Sequence, residues 1–146
     1  MRPLPPVYFL IALLSMVGLH YFAPGYRWIE SPWRYLGFIP AAAGFCVVFY
    51  AAGLFRKHRT AIKPFKESSS LVTQGPYRFT RNPMYLSMSM ALCGAAVVLG
   101  SITCLLILPL FVWLIATRFI RVEEAMLTER FGETYRAYRQ RVRRWV

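Results

Sequence analysis

Two stretches of this chain carry side chains that could do chemistry. Residues 71–85, LVTQGPYRFTRNPMY, set Arg78 and Arg81 among Tyr77, Phe79 and Tyr85, with one Gly-Pro and one Asn-Pro turn. The other is Glu123-Glu124, adjacent carboxylates in a chain with six acidic residues and no aspartate. One of these carboxylates could face a cationic or polyhydroxyl ligand. The plainer alternative is an ion pair with Arg118, Arg121 or Arg78, ordinary where a helix leaves a membrane. For residues 71–85 the plain alternative is an aromatic belt at the lipid surface and a helix start. There the Asn82 amide would cap the helix and Pro83 would take its first position.

Long apolar runs must position both stretches. The chain is 57% hydrophobic with a mean hydropathy of +0.40, and its uncharged runs cover residues 3–26, 35–55 and 83–117. The third is short for two independent spans of about 20 residues each. Gly100-Ser101 lies at its midpoint, which predicts a tight helical hairpin with arms 84–99 and 102–120. With helices over residues 7–22 and 35–55, the expected fold is an all-α integral membrane protein of about four transmembrane helices. Arg2 before an apolar core also fits a signal peptide. Residues 18–23 lack a small-x-small cleavage site, so a retained first helix is expected.

The net charge of +12 is unevenly placed. Apart from Arg27 and Arg34, every Lys and Arg falls at Arg2, in residues 56–81 or in residues 118–144. An even number of spans puts all three places on one side, and the positive-inside rule makes it cytoplasmic, with both termini. Anionic headgroups account for the basic excess. Nucleic acid is not an expected partner, since the cations flank spans rather than forming a soluble face. Cys46, Cys93 and Cys104 lie inside apolar runs and read as buried, inert thiols. His20 and His58 fall on opposite sides, so no metal site is expected. No GxGxxG, P-loop or GxSxG is present.

The chain reads as one domain, 1–146. Two N-terminal spans fill 1–55, a cytoplasmic loop 56–83, the hairpin 84–120 and a cytoplasmic tail 121–146. Within the loop, residues 56–66 suit headgroup contact with Pro64 restricting the chain, and residues 67–70 are polar. Gly75-Pro76 forces a turn that leaves Tyr77 and Phe79 at the interface. In the tail, Gly132 is a candidate helix stop. Beyond it Tyr135, Tyr138, Arg139 and Val142 recur at helical spacing over residues 133–142, predicting an interfacial amphipathic helix. Gly44, Gly53 and Gly94 could serve close helix packing within the chain or between copies.

Taken in order, these residues resemble a known family. Leu71-Val72-Thr73, Gly75-Pro76-Tyr77-Arg78 and Arg81-Asn82-Pro83-Met84-Tyr85 come first. The apolar hairpin, Glu123-Glu124, Phe131-Gly132, Tyr135, Tyr138 and Arg141-Val142 follow. The set resembles the isoprenylcysteine carboxyl methyltransferases over residues 69–145, and phospholipid methyltransferases are similar there. One departure is Asn82, where the eukaryotic members carry a histidine. The resemblance implies a membrane enzyme that uses S-adenosylmethionine without a Rossmann domain. It implies cofactor contacts from Ser69, Ser70, Leu71, Val72, Tyr77, Arg81, Asn82, Pro83, Met84 and Tyr85, and from Glu124, Tyr135 and Tyr138 in the tail. Glu123 and Glu124 match the family's acidic pair, associated with cofactor and substrate binding. Arg118 and Arg121 lie near its substrate-side arginine, which makes these four the candidate catalytic group.

The chemistry of those residues agrees. A Glu can accept from the cofactor's ammonium or ribose hydroxyls, an Arg can hold its carboxylate, and tyrosine faces favour its sulfonium. A carboxylate acceptor is already ionised at neutral pH, so alignment suffices and no general base is required. A mouth open sideways to lipid would strip water from that nucleophile. The expected activity is O-methylation of a carboxylate on a lipophilic small molecule or lipid-anchored substrate. An alternative is a phospholipid amine N-methyltransferase, with Glu123 or Glu124 as acid–base group. An alternative of another class is a non-enzymatic membrane protein that binds anionic lipid.

Overall fold

The computed structural model describes residues 4–57 and 70–146, Phe55 by its backbone only. Ser69, His58, Pro64 and the rest of residues 58–69, the headgroup-contact stretch included, lie outside the described residues. Within them the uncharged runs form helices and no strand appears. Helix α1, Pro5–Phe22, begins on two prolines whose missing N–H groups a first turn leaves unbonded anyway. A 3-10 turn, Trp33–Gly37, leads into α2, Phe38–Lys57. Helix α3, Pro83–Leu99, and helix α4, Ile102–Ile115, form the expected hairpin around Gly100, whose φ of 70° suits a residue without a Cβ. A π turn, Ala116–Ile120, joins α4 without a break to α5, Arg121–Arg141. The outgoing arm was expected as one helix to residue 120. The wider turn inserts one residue and rotates everything after it by about 100°. Thr117 Oγ1 donates to the Trp113 carbonyl at 2.8 Å, satisfying an acceptor near that irregularity.

Helix α2 lies along α3, and α1 lies along α4 while touching α3. Glycine sets the first contact. A Cβ on Gly37 would sit 2.5 Å from the Gly94 carbonyl oxygen, and one on Gly44 would sit 2.7 Å from that of Ser87. Gly44 and Gly94 therefore pack helices within the chain, whereas a Cβ on Gly53 would meet nothing within 4 Å. Met16, Leu92, Ala96, Cys104, Phe111 and Ile115 fill the core between α1, α3 and α4. At the hairpin turn the α1–α2 loop is tied down: Trp28 N donates to the Gly100 carbonyl and Ile102 N to that of Tyr26. His20 Nδ1 and Ser101 Oγ lie 2.6 Å apart beside them.

Much of the helix surface is apolar. Leu14, Phe45, Phe49, Leu106 and Trp113 are all exposed, the arrangement of helices whose solvent is lipid. Among the described residues three helices are long and apolar enough to cross a membrane; α3, with 17 residues, is shorter. It spans about 25 Å, against the ~30 Å of a hydrocarbon core. This is an all-α membrane protein.

Three expectations need correction. Cys104 is buried and donates to the Met16 carbonyl, but Cys46 is exposed on the outer face of α2. Gly132 does break the last helix, with φ +49°, yet the face beyond it is not lipid-facing. Tyr135 and Val142 are buried within the chain, Tyr135 beside Arg81 and Glu124. Tyr77 is likewise buried, and of the two aromatic residues expected at the interface only Phe79 is exposed.

Candidate functional site

The loop before α3 is shaped by its turns. At Gly75, φ +60°, a Cβ would strike Tyr50 and Leu54, so this backbone rests directly on α2. Pro76 continues the 3-10 turn Gly75–Arg78, which drives the Tyr77 ring into a pocket of Ala51, Val72, Leu54 and Met84. Pro83 then opens α3 as expected. Asn82 does not cap it: its side-chain amide instead donates to the Arg144 carbonyl at 3.1 Å. The same carbonyl accepts from Thr80 Oγ1 at 3.0 Å, and Arg81 N donates to the Arg143 carbonyl. The C-terminal tail therefore lies along residues 80–82 as a strap, paired by an isolated bridge between Thr80 and Arg143.

Under the strap the two carboxylates part company. Glu124 is buried between two guanidinium groups, 3.1 Å from Arg81 Nη1 and 2.6 Å from Arg144 Nη2, with Arg144 Nε 3.2 Å from its other oxygen. Neither partner is one of the arginines expected, Arg78, Arg118 or Arg121. Arg118 and Arg121 are both exposed, and among the described residues neither joins the cluster. Arg121 instead lines a wide cleft on the outer side of α5 with Arg136, Arg139 and Arg144.

Glu123, one position earlier, faces the hairpin. The Tyr85 hydroxyl donates to its Oε1 at 2.6 Å, and no cation pairs with it among the described residues. Burial lifts this carboxyl from 4.5 to about 7, against the opposing pull of the Tyr85 hydrogen bond. Glu123 lies beyond the apolar part of the α4–α5 helix, outside the membrane-crossing stretch. Tyr77 senses its charge, and burial, Tyr138 and Glu123 together raise the Tyr77 hydroxyl well above its usual range. Tyr138 donates to the Tyr77 carbonyl at 2.7 Å, and Tyr135 is fully buried beside Arg81 and Glu124. Among the described residues, the buried polar atoms without a hydrogen-bond partner include Arg81 Nε and Ser70 Oγ.

The chain thus brings Tyr77, Arg81, Asn82, Tyr85, Glu123, Glu124, Tyr135 and Tyr138 to one place, with Val72 and Met84 behind Tyr77. Pro83 serves the backbone, and Leu71 is half-buried at the edge. Sequence reasoning missed Arg144, Thr80 and Trp145, the last packed on the main core. Only the run of basic residues at the chain end hinted at Arg144, and it read as headgroup contact. No cluster of His, Cys, Asp or Glu suited to a metal occurs among the described residues. What remains is a carboxylate with no counterion among the described residues, two tyrosines at its side and buried donors nearby. That set can bind a cationic ligand and orient it.

The family model for phospholipid methyltransferases matches residues 32–134, from the turn before α2 to just past Gly132. The chain belongs to the phospholipid methyltransferase family. It is 34% identical over 91 residues to the protein-S-isoprenylcysteine O-methyltransferase of Schizosaccharomyces pombe, covering 62% of this chain and 38% of that protein. It is also 38% identical over 63 residues to an uncharacterized protein of Haemophilus influenzae, covering 43% of this chain and 100% of that one. The chain thus spans little more than a third of the fission-yeast relative's length. The family match holds Tyr77, Arg81, Tyr85 and both glutamates. It ends before Tyr135, Tyr138 and Arg144, so the strap lies outside it.

Proposed function

We propose that this chain is a membrane-embedded methyltransferase that uses S-adenosylmethionine to esterify the carboxylate of a lipophilic acceptor. The observation that carries the reading is Glu123. It is a half-buried carboxylate held by the Tyr85 hydroxyl, bordered by Tyr77, and without a cationic partner among the described residues. The methyl donor brings an ammonium and a sulfonium, the charge such a place lacks. The other groups fit it too. Arg81 Nε and Ser70 Oγ are buried donors without partners among the described residues, suited to the donor's carboxylate and ribose hydroxyls. Tyr77 and Tyr85 offer ring faces to a sulfonium. Glu124, neutralised by two arginines, holds the loop, the tail and α5 together; Glu123 is the carboxylate assigned to the donor.

When bound, S-adenosylmethionine supplies a methyl carbon that takes an acceptor oxygen's lone pair while the C–S bonding pair stays on sulfur. No proton is transferred, so the residues' work is alignment and exclusion of water. Tyr85 fixes the Glu123 carboxylate, and the strap fixes residues 80–82 beneath it. The fission-yeast relative is named for O-methylation of S-isoprenylcysteine. A carboxylate on a lipophilic body is the corresponding acceptor here. Four spans with both termini in the cytoplasm fit the grouping of Arg56, Lys57, Arg78, Arg81 and the α5 arginines at the site end. Methylation of a phospholipid amine is the second reading. A Glu123 carboxyl at about 7 favours it, since such a group can take a proton from an ammonium near neutral pH.

Calorimetric titration of detergent-purified protein with S-adenosylhomocysteine tests the donor site. Binding is expected, lost in Glu123→Ala and weakened in Tyr85→Phe; no heat with the unmutated protein would overturn the reading. Labelled methyl transferred to a membrane extract then separates the acceptors. An ester releases methanol in base, whereas an N-methyl amine does not.

A further inference from the structure

On the outer side of α5 lies a cleft of about 810 Å³ that the reading above leaves unused. Arg121, Arg136, Arg139 and Arg144 line it, against the carboxylates of Glu124 and Glu129. Glu124 is already held between Arg81 and Arg144, so the balance of charge in the cleft is positive. On an unbroken helix Arg121 and Arg139 would stand about 27 Å apart. The break at Gly132, φ +49°, folds the helix so that both border one cleft. Arg121 follows the exposed Trp113 by about two turns, which sets that rim at headgroup depth. Arg144 belongs to two places. It lines the cleft, and through Nε and Nη2 it clamps Glu124 at 3.2 and 2.6 Å. Those two bonds leave most of the guanidinium's N–H groups for a second acceptor, and the side chain is one-third exposed.

We propose that this cleft binds the phosphate of an anionic phospholipid headgroup, which holds the C-terminal strap closed. Charge complementarity chooses the occupant: arginine forks pair with phosphate oxygens two at a time, and four of them border this one cleft. A lipid headgroup is the phosphate that a membrane presents at this depth. Phosphate on the exposed part of Arg144 leaves its bonds to Glu124 intact, so the guanidinium is held from both sides. Held so, Arg144 keeps its carbonyl on Thr80 and Asn82, and the chain end stays over residues 80–82. The proposal does not depend on the methyl-transfer reading.

Native mass spectrometry of the detergent-purified full chain, titrated with phosphatidylglycerol or phosphatidylcholine, reads the binding. Phosphatidylglycerol should bind at least tenfold more tightly than phosphatidylcholine. Arg136→Gln with Arg139→Gln should weaken it at least fivefold. The same charge removed by Arg56→Gln with Arg141→Gln, exposed and outside the cleft, should change little. An unchanged thermal midpoint shows that the cleft variant is folded, since the Arg136–Glu133 pair it removes is exposed and worth little. Amide hydrogen exchange reads the strap. The Arg81 N–H, bonded to the Arg143 carbonyl, should exchange at least severalfold more slowly with phosphatidylglycerol, and the cleft variant should lose that slowing. Equal weakening by the two double variants would overturn the proposal, since it would mean a general attraction to charge. Unchanged binding in the cleft variant would do so too, as would binding without slower exchange at Arg81. Millimolar inorganic phosphate that slows Arg81 as much as the lipid would assign the cleft to a soluble phosphate and overturn the lipid as its occupant.

Discussion

Adjacent residues on an α-helix point about 100° apart, so a Glu-Glu pair is two different groups. Glu124 points under the strap and is neutralised by Arg81 and Arg144; Glu123 points at Tyr85 and has no cation among the described residues. Removing one partner of a buried ion pair leaves the other charge uncompensated. Glu124→Gln should therefore cost about 3 kcal/mol of stability, a figure reduced because Arg144 is one-third exposed. Glu123→Gln, which mimics the neutral carboxyl, should not lower the unfolding midpoint and should raise it above pH 7, while weakening S-adenosylhomocysteine binding at least tenfold. Thermal unfolding and calorimetry on both variants decide it, and the opposite pattern would reverse the two roles. Glu123 also gives a pH dependence of known sign. Its carboxyl is raised from 4.5 to about 7 in the folded chain. The stability it contributes is thus complete below pH 4.5 and lost as pH rises through 7. A cationic ligand needs the ionised form, so affinity for S-adenosylmethionine should rise about tenfold between pH 6 and pH 8. In Glu123→Gln that slope should vanish; a parallel slope in the variant would place the titration elsewhere.

At the scale of elements, the pattern of apolar runs made most of the fold legible. Uncharged stretches predict α1, α2 and the hairpin within a few residues, because an apolar run of that length satisfies its own backbone in lipid as a helix. Gly100-Ser101 marked the hairpin turn because the run was too short for two spans without one. The π turn was not legible, since Ala116–Ile120 has no proline or glycine to announce it. Nor could helix neighbours be read: glycines were visible, but which of them meets a partner depends on rotation about each axis. The structure separates them and so makes a prediction. Gly94→Ala should destabilise by roughly 1–3 kcal/mol, because the added Cβ runs into the Gly37 carbonyl and Ala41. Gly18→Ala, with nothing within 4 Å, should be neutral or stabilising by up to about 1 kcal/mol. Equal midpoints for the two variants in denaturant unfolding would show that α2 and α3 do not pack through Gly94.

Across the whole molecule, half of the candidate site was readable because residues 71–85 and Glu123-Glu124 are unusual in type. The half supplied by the chain end was not, since Arg144 reaches Asn82 across 62 residues and only the three-dimensional path brings them together. The path matters for function. The hairpin holds Tyr85 and the site end of α4 in one place, the π turn aims Glu123 and Glu124, and the helix break at Gly132 turns the tail back over the loop. The strap is then held by Thr80, Asn82 and Glu124, and by Trp145 against the core. A ligand seated at Glu123, between the loop and α5, would be enclosed by that strap and would in turn hold it down. Trypsin cleavage after Arg143 and Arg144 should therefore slow at least severalfold when S-adenosylhomocysteine saturates the protein. Cleavage after Arg136, exposed on the outer side of α5, should change little and serves as the internal standard. Site-resolved mass spectrometry of a digestion time course reads both rates from one sample. Equal protection at all three arginines would mean that the ligand stabilises the fold at large, and no protection at any would place the ligand away from the strap. Selective protection of the last two ties the chain end to the site.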